Sequence, residues 1–180
     1  MIKFCPQCGG KAEYIVPEGD HNPRAVCTQC HHIEYENPRL IVGTLPVWQD
    51  KVLLCKRGIE PQHGMWTLPG GFMENGESTI EGALRETAEE SHAPVTNLRL
   101  LSCLSLPFCN QVHTFYLADL IEPTWQTTPE STEIALFSEQ DVPWHEIAFR
   151  SVEWTLKHYF SCRAKNEFSL IDKTVTKPNW

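Results

Sequence analysis

"GGFMENGESTIEGALRETAEES", residues 70–91, decides how this chain is read. It carries Glu74, Glu77, Glu81, Glu86, Glu89 and Glu90, with Arg85 as its one cation. Ser78 is an N-cap candidate and Glu81 follows at capping-box spacing, so a helix is predicted over 78–91. Pro94 cannot continue it. Projected at about 100° per residue, Ile80, Ala83, Leu84, Thr87 and Ala88 form the expected packing side, and Glu86, Glu89 and Glu90 gather on the other. Like charges at such spacing repel by roughly 0.2–0.5 kcal/mol per pair. A solvated acidic face would intersperse lysines for i, i+4 pairing, and this segment has none. Three converging carboxylates suit a hard divalent cation such as magnesium, which keeps several waters and is completed by substrate phosphates.

Composition frames that reading. The chain has 180 residues, 41% of them hydrophobic, and a formal net charge of -8. That balance opposes binding to nucleic acid or to an anionic membrane, so an anionic substrate needs a local cation to reverse the sign. The opening "MIKFCPQCGG" holds no apolar stretch of signal-peptide length. The apolar-rich run from Leu40 to Trp48 is broken by Gly43, Thr44 and Pro46. A cytoplasmic protein that does not enter the membrane is therefore expected. In that compartment the 8 cysteines read as metal ligands or buried thiols rather than disulfides.

Three zones are expected: 1–36, rich in Cys, Gly, Pro and His; 37–164, with the periodic apolar segments; and a C-terminal extension, 165–180. In the middle zone "RLIVGTLPVW" and "KVLLCKR" read as strands joined at Gln49-Asp50. "MWTLPGGF" reads as a short strand running into a Pro-Gly-Gly loop. "LRLLSCLSL", "QVHTFYLADL" and "IALF" are strand-like, and "SVEWTLKHYFSC" has helical spacing through Val152, Leu156 and Tyr159/Phe160. Strands and helices without regular alternation predict an α+β fold, a mixed sheet with helices packed on it.

Cys5-Pro-Gln-Cys8 and Cys27-Thr-Gln-Cys30 form two CxxC pairs. Two such turns complete a closed four-thiolate zinc site, which is structural because no ligand position stays open. The alternatives are a redox CxxC or a pair of disulfides, against both of which the doubled motif argues, and a site in which His21, His31 or His32 substitutes for one cysteine. In a segment this poor in core residues, the metal would supply much of the folding free energy.

Gly71, Glu77 and the run Arg85-Glu86-Thr87-Ala88-Glu89-Glu90, at their spacing, resemble the Nudix box. The resemblance implies an α/β/α sandwich with a mixed sheet, preceded by a zinc ribbon. It implies hydrolysis of a nucleoside diphosphate linked to another moiety, with magnesium or manganese. Carried over by position, it makes Glu86, Glu89 and Glu90 metal ligands, one of which can serve as base. The Gly70 carbonyl becomes a further ligand beside Gly71, and Glu77 pairs with Arg85. Family members often take a base from a loop outside the box, and Glu130 and Glu133 are the candidates. Thr87, His92 and Ala93 depart from the pattern, which puts the helix C-terminus in question more than the chemistry. A four-cysteine ribbon ahead of such a domain is similar to two groups. The Ser-Gln-Pro-Trp-Pro-Phe-Pro motif of the NADH pyrophosphatases is absent. "IKFCPQCGG", "YENPRLIVG", "VLLCKR", "GMWTLPGGF" and "ESTEIALF" resemble ribbon-bearing hydrolases of ADP-ribose and FAD. The expected reaction is release of AMP from ADP-ribose, FAD or NADH. The alternatives are a sanitising pyrophosphohydrolase of nucleoside triphosphates and a non-catalytic regulator whose ribbon binds nucleic acid. Phe108, Phe115, Tyr116 and Trp144 are candidates to stack on a base, and Lys56 and Arg57 to meet phosphate. The resemblance is compatible with a homodimer.

Overall fold

The computed structural model describes residues 1–176, and the last four positions of the expected extension lie outside the described residues. The chain forms two compact units, Met1–Asn37 and Pro38–Trp180. In the first, β1 (Ala12–Ile15), β2 (Arg24–Cys27) and β3 (Ile33–Glu34) make a small antiparallel sheet. Its buried apolar residues are Cys5, Ala25 and Cys27, so its own core is minimal.

The second unit is built on β4 (Arg39–Trp48), which alternates strictly between faces. Val42 and Thr44 point towards α1 (Thr79–Ser91), where they meet Ala83 and Thr87. Leu45 and Val47 pack on the other face with Val152, Leu156 and Phe160 of α2 (Arg150–Lys165). β9 (Gln111–Leu120) runs parallel to β4 and follows the same rule: Tyr116 faces Ala83, while Phe115 and Leu117 face α2. One helix on each face gives the expected α/β/α sandwich.

The sheet runs β10-β5-β4-β9-β8-β11, with β5 (Lys51–Arg57), β8 (Val95–Leu106), β10 (Ser131–Phe137) and β11 (Ile171–Thr174). β11 lies parallel to β8, so part of the tail is an edge strand, and the Val175 side chain beyond it is buried. The short strands β6 (Trp66–Thr67) and β7 (Gly70–Phe72) sit off this path. The Pro-Gly-Gly segment read as a loop therefore carries a strand of its own. β5 pairs with β4 only at the hairpin end, through Val47 and Val52. Further along, β7 takes that edge of β4 instead, pairing Gly43 with Gly70. The approach is so close that a Cβ on Gly70 would stand 2.9 Å from the Gly43 Cα, which only glycine avoids at both positions. This split between β5 and β7 opens a cleft.

Helix α1 starts as expected. The Ser78 Oγ accepts from the Glu81 N–H and the Glu81 carboxylate from the Ser78 N–H, a complete capping box. The packing side differs from the projection. Gly82, Ala83, Thr87 and Ser91 are the buried residues, while Ile80 and Leu84 are 43% and 37% exposed and Ala88 is exposed. The helix is turned so that small residues meet β4 closely, which draws Glu86 and Glu90 inward instead of leaving them on the outer side.

Candidate active site

The cleft has a volume of about 770 Å³ and lies wholly within the second unit. Gly70, Gly71, Arg85, Glu86, Glu89 and Glu90 line one end, with Arg57 and Glu130 beside them. Glu133 is not among the lining residues. It sits on β10 after a bulge and pairs with Lys56 at 3.0 Å, whereas Glu130 lines the cleft. Lys56 is likewise taken up by Glu133 and by the face of Trp66, which leaves Arg57 as the strand-end cation in the cleft.

Arg85 organises the acidic end. Its Nε and Nη2 donate to the two oxygens of Glu77 at 3.0 and 2.8 Å, a bidentate pair. Nη2 also donates to the Phe72 carbonyl, and Nη1 to Glu86 and Glu89 at 2.8 and 3.0 Å. One guanidinium thus ties the loop after β7 to two turns of α1. Arg85, with the Glu74 N–H, holds the Glu77 carboxyl down at about 2.

Glu90 is turned away from Arg85. Among the described residues its carboxylate accepts one hydrogen bond, from the Gly70 N–H at 3.2 Å. Burial pushes its carboxyl up to about 8, with Glu86 and Glu130 adding repulsion and Arg57 opposing it. Burial also raises Glu86. Among the described residues, only the four cysteines bring three or more candidate ligand atoms within 4.8 Å of one another. The Glu86 and Glu89 carboxylates are drawn to Arg85 and that of Glu90 to Gly70. The fit to a cation rests on Glu90 itself: a carboxylate this buried, with one N–H partner, is unfavourable unless a positive charge joins it. Glu86 lies directly against Gly71, where any Cβ would strike its Oε2 at 2.5 Å. Glycine there makes the room that brings the carboxylate to the cleft wall.

The departures from the expected pattern have local causes. Thr87 is buried but satisfied, its hydroxyl donating to the Ala83 carbonyl and meeting the Thr44 hydroxyl at 2.7 Å. His92 ends the helix in the left-handed region at φ 53°, its N–H donating to the Ala88 carbonyl.

Phe115 lies level with Gly43 and Gly70, and Phe149 stacks against Arg57; further back along β9 the cleft is lined by Leu106, Phe108, Gln111 and His113. Of the four aromatic stacking candidates, Phe108 is open, at 46% exposed, and Phe115 and Tyr116 are buried. Trp144 packs on Phe160, away from the cleft. Gln111 and His113 were not foreseen. Their signal was the alternation Gln111, His113, Phe115, which places two polar side chains on the inward face of a strand. His113 bonds Ser151 at 2.9 Å and Gln111 at 3.0 Å, and burial pushes its imidazole down to about 4.

In the first unit, Cys5, Cys8, Cys27 and Cys30 meet. The closest sulfurs are 3.4 Å (Cys8 and Cys27) and 3.7 Å (Cys5 and Cys30) apart, near the roughly 3.8 Å edge of a tetrahedron with zinc–sulfur bonds of about 2.3 Å. The N–H groups of Cys30 and Gln29 point at the Cys27 sulfur and lower its thiol pKa. All eight cysteines are free thiols, so the disulfide alternative is not realised.

Residues 37–158 match the NUDIX domain family, and residues 3–36 match the Nudix N-terminal zinc-ribbon family. The chain belongs to the Nudix hydrolase family. A solved Nudix hydrolase from Nitrosomonas europaea is 46% identical and superposes with a TM-score of 0.93, over 98% of this chain and 100% of that one. A MutT/nudix family protein from Enterococcus faecalis is 27% identical with a TM-score of 0.62, over 73% of this chain and 64% of that one. The NAD-capped RNA hydrolase NudC of Vibrio cholerae is 32% identical over 139 residues, 74% of this chain. The chain spans about half the length of this curated relative, 47%. Among the described residues no helix is long and apolar enough to cross a membrane.

Proposed function

We propose that this Nudix hydrolase cleaves the pyrophosphate bond of a nucleoside diphosphate derivative, with ADP-ribose, FAD and NADH as the substrate class, and releases AMP. The observation that carries the reading is the two-ended cleft: carboxylates and Arg57 at one end, an open aromatic ring and polar groups at the other. Its size suits a ligand with a phosphate centre and an organic arm. The name of the curated relatives adds NAD and NAD-capped RNA to the substrates worth testing.

Glu86, Glu89 and Glu90, with the Gly70 carbonyl, would hold magnesium or manganese, and the four cysteines would hold zinc. When bound, the cation supplies Lewis-acid polarisation of phosphoryl oxygens and offsets the acidic surface. The protein's own groups do the rest. Arg85 fixes Glu86 and Glu89 against the loop and restrains α1 relative to β7. Arg57 faces the negative charge of the diphosphate. Glu130 stands in the cleft near Glu86 and Glu90, where a carboxylate can take a proton from an attacking water. A covalent intermediate is not required. Chromatography of products after incubation with magnesium or manganese tests this: AMP is expected from at least one of ADP-ribose, FAD and NADH, and its absence from all three ends the proposal.

A further inference from the structure

The polar pair in the floor of the cleft has no part in the chemistry above. Gln111 and His113 project from the same face of β9 as Phe115. The Gln111 Oε1 faces inward, accepting from His113 Nε2 at 3.0 Å, with the Cys109 Sγ at 3.7 Å. With Nε2 donating, His113 Nδ1 accepts from the Ser151 hydroxyl, which defines one neutral tautomer for the ring. Both donors converge on the amide oxygen, so the amide NH2 turns outward. Among the described residues that NH2 has no hydrogen-bond partner. No buried side-chain nitrogen or oxygen in these residues is unsatisfied, so the NH2 is open to solvent in the cleft. Beside it Phe108, on the short turn Pro107–Cys109, presents a half-exposed ring to the same space.

Position adds a second argument. Phe115 pairs with Gly43, and Gly43 with Gly70, whose N–H binds Glu90. Gln111 lies four residues along β9 from that level, about 13 Å at strand spacing. A nucleotide with its phosphate at the carboxylate end would carry its base towards this point. ADP-ribose, FAD and NADH share one ring system, adenine, and in ADP-ribose it is the only base.

We infer that Gln111 is a specificity-determining residue, whose amide NH2 donates to a ring nitrogen of the adenine stacked against Phe108. The inference rests on the pyrophosphatase reading for the placement of the phosphate. A bare apolar slot would bind any flat ring; a fixed donor favours rings with an acceptor at that edge, and His113 is what holds the donor in place.

Calorimetry with AMP and with 1-deaza-, 3-deaza- and 7-deaza-AMP, in the presence of magnesium, tests it. In the wild type one deaza analogue binds about threefold to tenfold more weakly than AMP, the value of one hydrogen bond. Gln111→Met removes that difference. Gln111→Glu keeps an oxygen towards His113 but presents a second acceptor outward, and weakens AMP more than Gln111→Met does. If all three analogues bind the wild type as AMP does, the inference is overturned, and this result needs no variant to fold. A deaza effect that persists in Gln111→Met also overturns it. These titrations involve no turnover. A flat deaza series alongside AMP release removes the contact alone, and a clear deaza effect without AMP release removes the hydrolytic reading alone.

Discussion

Glu90→Gln should make the cation-free protein more stable and the enzyme inactive. With its carboxyl pushed up to about 8 from an ordinary 4.5, Glu90 is largely protonated in the cation-free fold at pH 7, and taking up that proton costs the folded state about 3 kcal/mol. Glutamine is neutral in both states at the same shape, so it needs no such proton, and it keeps an oxygen for the Gly70 N–H. Its NH2 gains no evident partner, which gives back about 1–2 kcal/mol. The net gain is about 1–2 kcal/mol, or roughly 4 °C in Tm for a domain of this size. The pH dependence identifies the cause. A folded-state pKa above the unfolded one gives stability that is complete below about 4.5 and lost as pH rises through about 8. The difference should therefore move in the variant's favour by about 3 kcal/mol between pH 4.5 and pH 7, from a variant about 1–2 kcal/mol less stable than wild type at the acid end to one more stable at neutral pH. Trp48, Trp66, Trp125, Trp144 and Trp154 lie in the second unit and residues 1–37 hold no tryptophan, so tryptophan fluorescence in urea, without added magnesium or manganese, does not report on the first unit. Added magnesium should stabilise the wild type and not the variant, and kcat should fall at least a hundredfold. A variant that turns over normally, or a stability difference independent of pH, would refute the reasoning.

His113 carries the opposite dependence. Measured in the Glu90→Gln background, stability should be full above pH 6.5 and fall by up to about 3 kcal/mol towards pH 4, as the unfolded chain takes up a proton that the buried ring resists; a flat profile would contradict the buried neutral imidazole. Thr87→Val strands the buried Thr44 hydroxyl and should cost about 1–3 kcal/mol, whereas Thr44→Val with Thr87→Val should recover most of it, as urea melts of the cycle will show. His92→Gly relieves a left-handed histidine and should raise stability by about 0.5–1 kcal/mol, read as a higher urea midpoint. Strong zinc chelation should speed proteolysis within residues 1–36 and leave the tryptophan signal of the second unit in place.

The central strands and α1 were legible because their signals are local. "RLIVGTLPVW" and "KVLLCKR" are bounded by a turn, and Ser78 and Glu81 cap a helix by themselves. The rotation of α1 was not legible. Helical projection ranks Ile80 and Leu84 as packing residues, but the sheet selects the small side chains that let β4 approach and the carboxylates that reach the cleft. Glycine at 43, 70 and 71 is what permits that approach, and it appears only once β7 pairs with β4. Glu130 and Glu133 look equivalent along the chain. A bulge and the proximity of Lys56, both products of tertiary pairing, separate them. β11 was missed because a four-residue edge strand with one inward apolar side chain has almost no periodic signal. Gln111 and His113 were hidden inside a segment read as a plain strand, since alternation shows which residues point inward and not what they meet there.

The carboxylate end of the cleft and its aromatic end should act on the two parts of one nucleoside diphosphate derivative. A competition assay tests it most directly: ADP-ribose, FAD and NADH against a panel of nucleoside triphosphates, with magnesium or manganese, reading AMP and pyrophosphate from the same samples. The account predicts AMP as the product, with kcat/KM for at least one dinucleotide above that for every triphosphate. Pyrophosphate released from a triphosphate at higher kcat/KM than any AMP would contradict it.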